Sequence, residues 1–137
     1  MKFVKTMLLL LLLSPTLPAF GQEYPSRPIT IVVPFSAGGP GDVIARLLGS
    51  SMSTTLKQAM VIENVVGAGG TLGTNRVAKA APDGYTLLLI SNGHAMIESL
   101  NSNLTFDPVK DFSGVAKLAV IPGILVVNPE TGPNSLK

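Results

Sequence analysis

PFSAGGPGDVIAR, from Pro34 to Arg46, follows the continuous apolar run Ile29 to Val33 and leads into an amphipathic pattern. A short apolar run bounded by proline and glycine reads as a buried strand, the glycines as a bare-backbone turn, and the residues from Asp42 onward as a helix start. The plan repeats where Met60-Val61-Ile62 is followed by Gly67-Ala68-Gly69-Gly70-Thr71. Two helix N-termini then open on one edge of one sheet, an arrangement suited to holding an anion.

Working outward, strands are expected at Ile29 to Val33, Met60 to Glu63 and Thr86 to Ile90, alternating with helical patterns. That order predicts an α/β fold with a parallel sheet. In the first helix Ile44, Leu47, Leu48 and Met52 fall at near-helical spacing for an inward face, leaving Arg46 and Lys57 to water. Asp42, near the start of that helix, either caps it or meets a ligand, and it stands four residues before Arg46. The second helix is expected from Thr71 to Ala80, with Leu72, Val77 and Ala81 inward, before Pro82-Asp83-Gly84 turns the chain into the third strand. Ser91-Asn92-Gly93-His94 makes a third polar loop on the same side. Asp107 to Phe112 reads as a surface connection, followed by the apolar runs Val115 to Ile121 and Ile124 to Val127.

Residues 1–21 read differently. Lys2 and Lys5 precede the apolar run Met7 to Leu13, and Ala19-Phe20-Gly21 offers small residues for cleavage before Gln22. This is the layout of a secretory signal peptide, with an apolar core shorter than the roughly 20 residues that span a bilayer. It predicts a periplasmic protein, with an uncleaved anchor as the alternative. The 137-residue chain has ten Lys and Arg against eight Asp and Glu, and losing Lys2 and Lys5 leaves it balanced. Without a basic run, nucleic-acid binding lacks its electrostatic footprint. No cysteine occurs, which excludes a disulfide framework and a thiolate metal site.

The glycine loops invite a nucleotide reading, which spacing rejects. A dinucleotide fingerprint needs glycine at its first, third and sixth positions. Gly39 and Gly41 are followed by Ile44 at the sixth position, and Gly67 and Gly69 by Leu72. Neither loop ends in the Lys-Ser or Lys-Thr of a P-loop. Catalysis also lacks its parts: His94 is the sole histidine, and neither Ser36 nor Ser91 lies in a nucleophile elbow. No enzyme activity, metal or cofactor is expected. His94 reads as a side chain at the rim of a pocket, while Ser36 and Ser91 serve either turn chemistry or a ligand hydrogen bond.

Five segments in order now carry a family resemblance. They are Tyr24-Pro25-Ser26-Arg27-Pro28-Ile29; Val33 to Asp42; Glu63-Asn64 with Gly67 to Gly70; Ala78 to Leu87; and Asp107 to Phe112 with Leu125-Val126-Val127-Asn128-Pro129. Together the chain resembles the substrate-binding proteins of tripartite tricarboxylate transporters, the Bug family of periplasmic receptors. It departs from the family pattern at Val65-Val66, where Arg-Pro is usual, and at Gly114, where proline is common.

The resemblance implies a periplasmic-binding-protein-like (type II) fold. This chain would supply it only in part, mainly the N-terminal part of the first lobe. Residues 22–127 would form a partial first α/β lobe, and 128–137 the start of the crossover to a second lobe that the chain does not supply. The implied function is a receptor for a small carboxylate (a di- or tricarboxylate, an amino acid or a related organic acid), with the transporter's membrane components as partners. The main-chain N–H groups of Ala37, Gly38 and Gly39, and of Ala68, Gly69, Gly70 and Thr71, would face the carboxylate. Phe35, Ser36, Asp42, Ser91 and Asn92 would complete the pocket. Gly38 and Gly69 could instead serve only unusual backbone angles. The alternative for the whole chain is a nonfunctional or misfolding fragment of such a receptor.

Overall fold

The computed structural model describes residues 23–128, Glu130 and Gly132. The leader expected over residues 1–21 lies outside the described residues, as does most of the crossover expected over 128–137.

The β-branched run Ile29–Val33 forms β1, the central strand, as its near-complete burial requires. Strand β2 (Met60–Asn64) pairs with it in parallel from Ile29 opposite Met60 to Val33 opposite Asn64. Strand β3 (Thr86–Leu88) pairs on the other side, also in parallel, giving the order β2-β1-β3. One further bond, from Leu89 N–H to Val32 O at 3.0 Å, carries the pairing past β3. The third strand is thus shorter than the expected Thr86 to Ile90, because the chain leaves the ladder after Leu89 and Ile90 is exposed.

Helix α1 (Pro40–Leu56) connects β1 to β2, and α2 (Thr71–Ala78) connects β2 to β3. The two crossovers run in opposite directions along the sheet. Since each is right-handed by rule, the helices lie on opposite faces. The α1 face carries the core of Ile31, Val33 and Ala45, with Met60, Ile62, Leu87 and Leu89 packed around it. Val32, the alternate residue, is fully buried on the other face.

Both helices depart from the sequence expectation at single positions, while Ile44, Leu48, Met52 and Val77 are half-buried as expected. In α1 the buried positions are Asp42, Ala45 and Gly49, whereas Leu47 is exposed. Gly49 is selected by proximity: a Cβ there would lie 3.2 Å from Ile62 Cδ1 and 3.3 Å from Met60 Cβ. In α2 the buried residues are Gly73 and Thr74, so Leu72 and Ala81 are exposed rather than inward. The cause is a single 3-10 turn, Ala68–Gly70, that precedes α2 with Gly69 and Gly70 at φ 66° and 95°. Those left-handed conformations reset the phase of the helix and favour glycine. They bring Gly73 so close to β1 that a Cβ would sit 2.8 Å from Val65 O and 3.0 Å from Pro34 Cβ.

Beyond β3 come a 3-10 turn (Asn92–Met96) and the single-turn helix α3 (Ile97–Leu100). Residues 113–128 have no helix or strand and are exposed throughout.

At the strands' N-terminal ends, Tyr24 and Arg27 fasten the segment leading into β1 to the turn before β3. Tyr24 O–H donates to Gly84 O at 2.7 Å, and Arg27 pairs with Asp83 at 2.7 Å while stacking 4.1 Å above the Tyr85 ring. The Tyr85 hydroxyl accepts the Ser26 N–H at 2.9 Å.

Candidate functional site

In the strand order β2-β1-β3 the direction of crossover reverses around β1: its own connection leaves toward β2, and the chain then crosses back over β1 to β3. That topological switch point, at the carboxyl ends of the strands, is where open α/β sheets bind ligands. A cleft of about 690 Å³ lies there, within the range of small-molecule sites. It is lined by Phe35, the α1 start Gly39-Pro40-Gly41, Ile44, residues 88–92 after β3, and residues 116–121.

The loop after β1 is built around Asp42, the third residue of α1. No side chain caps the helix at Gly39. Instead, Asp42 Oδ2 accepts the Gly38 N–H at 2.8 Å and the Arg46 Nε–H at 2.9 Å. Its Oδ1 accepts Asn64 Nδ2 at 3.1 Å, and the same Nδ2 donates to Phe35 O at 3.1 Å. Arg46 Nη2 in turn donates to Asn64 Oδ1 at 3.3 Å. Asn64 reaches the network because β1–β2 register places it beside Val33, where the loop begins. The Asp42 side chain is 4% exposed, and its charge is balanced there by Arg46. The Arg46 hydrogen bond first, then the Gly38 N–H, hold its carboxyl down at about 2 against an ordinary 3.8, despite the opposing cost of burial. The Arg46 guanidinium is raised in return by the Asp42 carboxylate.

This network changes the role expected of the first loop. The Gly38 N–H is spent on Asp42, and the Gly39 N–H on Ser36 O at 3.3 Å. Asp42 has both oxygens engaged inside the protein, so it acts as a brace of the loop. Pro40 has no N–H, and the first intrahelical bond runs from Val43 to Gly39 O. The first-turn N–H groups of Gly41 and Asp42 are therefore left over by helix geometry. Gly41 lines the cleft, although the sequence reading passed over it.

The second loop is similarly self-contained. Gly70 N–H donates to Gly67 O at 2.9 Å, and Thr71 N–H to Ala68 O. Ala68 and Gly69 are exposed, whereas Thr71 Oγ1 is shielded without a partner among the described residues. None of Ala68, Gly69, Gly70 and Thr71 lines the cleft. The loop follows β2, on the opposite side of β1 from β3, and its Gly70 lies against Pro34 at the root of the first loop.

Of the expected site residues, Phe35, Gly39, Ser91 and Asn92 meet at the cleft. Ser36, Ala37 and Gly38 are exposed on the same loop. His94 does not reach the rim. Its Nε2 bonds Pro108 O at 2.8 Å and its ring packs edge-on against Phe112, tying the turn after β3 to residues 107–112. Lys117 and its neighbours form a wall that sequence reading missed, because an apolar run carries no signal of what it faces. Among the described residues, no group of three or more His, Cys, Asp or Glu is placed to hold a metal ion.

A parallel sheet with glycine-loop helix starts at one edge, and a cleft beside them, is an α/β arrangement suited to holding a small ligand. The profile described as tripartite tricarboxylate transporter family receptor matches residues 44–137, and the chain belongs to that family. It is 46% identical over 128 residues to the UPF0065 protein in the TAR-I ttuE-ttuC' intergenic region of Agrobacterium vitis, covering 91% of this chain and 37% of that protein. The solved periplasmic binding protein BugD matches with 50% identity and a TM-score of 0.62, over 65% of this chain and 30% of BugD. MatC from Rhodopseudomonas palustris, solved with bound malate, matches with 50% identity and a TM-score of 0.61, over 69% of this chain and 33% of MatC. The chain thus spans about 37% of the length of the curated relative it matches. The resemblance to Bug receptors and the α/β periplasmic-binding-protein class are both established. The family is one of solute-binding receptors rather than enzymes. No described helix is long and apolar enough to cross a membrane.

Proposed function

We propose that the chain serves as an extracytoplasmic receptor for a small carboxylate and works with the membrane components of a tripartite tricarboxylate transporter. The observation that carries this reading is the cleft at the switch point, which joins helix-start N–H groups to a largely hydrocarbon wall. Family membership and the malate bound to MatC support the ligand class.

In this reading one carboxylate sits at the α1 start, where Gly41 and the exposed Ser36 and Ala37 offer N–H groups and the helix dipole favours negative charge. Ser91 and Asn92 add side-chain hydrogen bonds, and Phe35 packs against the ligand's carbon skeleton. Gly38, Gly39 and Asp42 fix the loop's shape. Ala68, Gly69, Gly70 and Thr71, which do not line this cleft, form a loop edge beside it. Residues 1–21 direct export, 22–127 make up part of the first lobe, and 128–137 begin the crossover to the second.

Calorimetry of the chain against malate, succinate, citrate and a set of amino acids tests the reading. Saturable heat with at least one carboxylate is expected. Absence of heat with every acid, from a protein that melts cooperatively, overturns it.

A second reading has its own support. Val115, Ile124 and Val126 are 83%, 81% and 79% exposed. A chain with such a surface, taken alone, is a fragment that fails to hold ligand. A non-cooperative melt by circular dichroism, with aggregation in sedimentation, is the outcome that favours it.

A further inference from the structure

We propose that Lys117 is a specificity-determining residue of the cleft, selecting acids that carry a second negative group; this rests on the receptor reading above and narrows its ligand class.

The charges around the cleft lead to this assignment. Among the described residues Arg27, Arg46, Arg76 and Lys110 are each paired with a carboxylate. Lys57 closes the C-terminal end of α1 and Lys79 that of α2, away from the helix starts. Lys117 lines the cleft and has no acidic partner among the described residues. The α1 start, by contrast, offers hydrogen bonds without net charge, because the Asp42 carboxylate in its first turn is matched by Arg46. The cleft therefore has donors at Gly41, Ser91 and Asn92, and one full positive charge at Lys117.

Hydrocarbon accompanies these two features in the lining. Phe35, Ile44 and Leu89 line the cleft along with the α1 start, and Leu118 follows Lys117 in the facing wall. A diacid with a short carbon chain fits this pattern, one carboxylate meeting the donors and the other the ammonium. A monoacid of equal length presents a methyl group to Lys117 and gains nothing from the charge. Specificity of this kind is a difference between two affinities, and one placed charge is sufficient to set it. Lysine suits the task because its apolar stem covers the wall while its ammonium stays hydrated until a carboxylate arrives.

The test uses the whole chain with succinate, succinamate and butyrate as calorimetric probes. Succinate should bind more tightly than either of the others. Lys117→Gln should weaken succinate about tenfold, the scale of one charge-assisted hydrogen bond at an exposed position, and leave butyrate unchanged. Lys117→Arg should restore most of the succinate preference. The proposal is overturned if Lys117→Gln leaves succinate affinity as it was, or if it weakens succinate and butyrate equally, as a structural role would. If the unmodified chain binds none of the three, this assignment is overturned, and the receptor reading falls only if the wider set of acids gives no heat as well. That result is distinct from binding that ignores Lys117.

Discussion

Asp42 Oδ2 accepts the Gly38 N–H at 2.8 Å from inside the helix that Gly38 precedes. A glycine at φ 80° has wide conformational freedom, and this bond, with Arg46 and Asn64 behind it, fixes one conformation. The loop's shape is thus set by a carboxylate whose two oxygens are both engaged inside the protein. Removing it should free the loop while leaving the sheet intact. In Asp42→Ala, the Gly38 amide should exchange with solvent at least about tenfold faster, and amides of β1 should keep their protection. Equal loss of protection in β1 would show that Asp42 supports the whole fold instead.

Two carboxylates give the chain an acid-sensitive range. Asp42 and Asp107 are each held at about 2 against an ordinary 3.8. For Asp107 the chief cause is the Lys110 N–H, followed by the Lys110 ammonium and the Val109 N–H. Folding favours the ionised form of both groups. Their contribution is therefore complete above about pH 4 and lost as pH falls from there toward about 2. The melting temperature should be level near neutrality and drop across that interval. Asp42→Asn combined with Asp107→Asn should start lower and show a shallower drop.

Much of the framework was legible in the sequence, and what was missed has physical causes. β1 is found at the predicted residues because a short β-branched run between proline and glycine admits few other structures. The inward faces of α1 and α2 were misjudged at Leu47 and Leu72. Hydrophobicity alone pointed inward, while close approach to the sheet selected Gly49 and Gly73. Asn64 was visible only as a polar residue ending an apolar strand, and its bond to Asp42 depends on the parallel register. The cleft was half-read: the loops after β1 and β3 were both singled out. Strand order, which puts β1 between β2 and β3, cannot be obtained from periodicity.

Gly73 makes the packing argument testable. A Cβ there meets the Val65 carbonyl at 2.8 Å and Pro34 Cβ at 3.0 Å, so backbone must move. Gly73→Ala should destabilise the fold by about 1–3 kcal/mol despite alanine's better helix propensity. Gly114→Ala, where a Cβ meets nothing within 4 Å, should lie within about 0.5 kcal/mol of the parent. Urea melts of the two variants give the comparison directly.

The clasp of Tyr24, Ser26 and Arg27 on residues 83–85 lies at the N-terminal ends of the strands, whereas the cleft is at their carboxyl ends. Tyr85→Phe removes the acceptor of the Ser26 N–H and leaves the ring beneath Arg27. The Ser26 amide should lose protection and the melting temperature should fall by a few degrees. Carboxylate affinity should remain within about twofold of the parent, since sites this far apart act independently. A large affinity loss would mean that the clasp shapes the cleft.

Val115, Val120, Ile121, Ile124, Leu125 and Val126 are 68–83% exposed in a segment without a pairing partner. Among the described residues, the sheet's outer strands, β2 and β3, also each have an unpaired edge. An exposed apolar run and open strand edges both drive association, because burying them against another copy removes hydrocarbon from water and satisfies main-chain groups. The chain should therefore show a sedimentation coefficient that rises with concentration and should bind a hydrophobic dye. Ile124→Lys with Val126→Lys adds charge where no packing is lost, so it should suppress both effects and leave the melting temperature almost unchanged. If the double variant associates as strongly as the parent, the contact lies elsewhere on the surface, and the open strand edges become the segments to alter next.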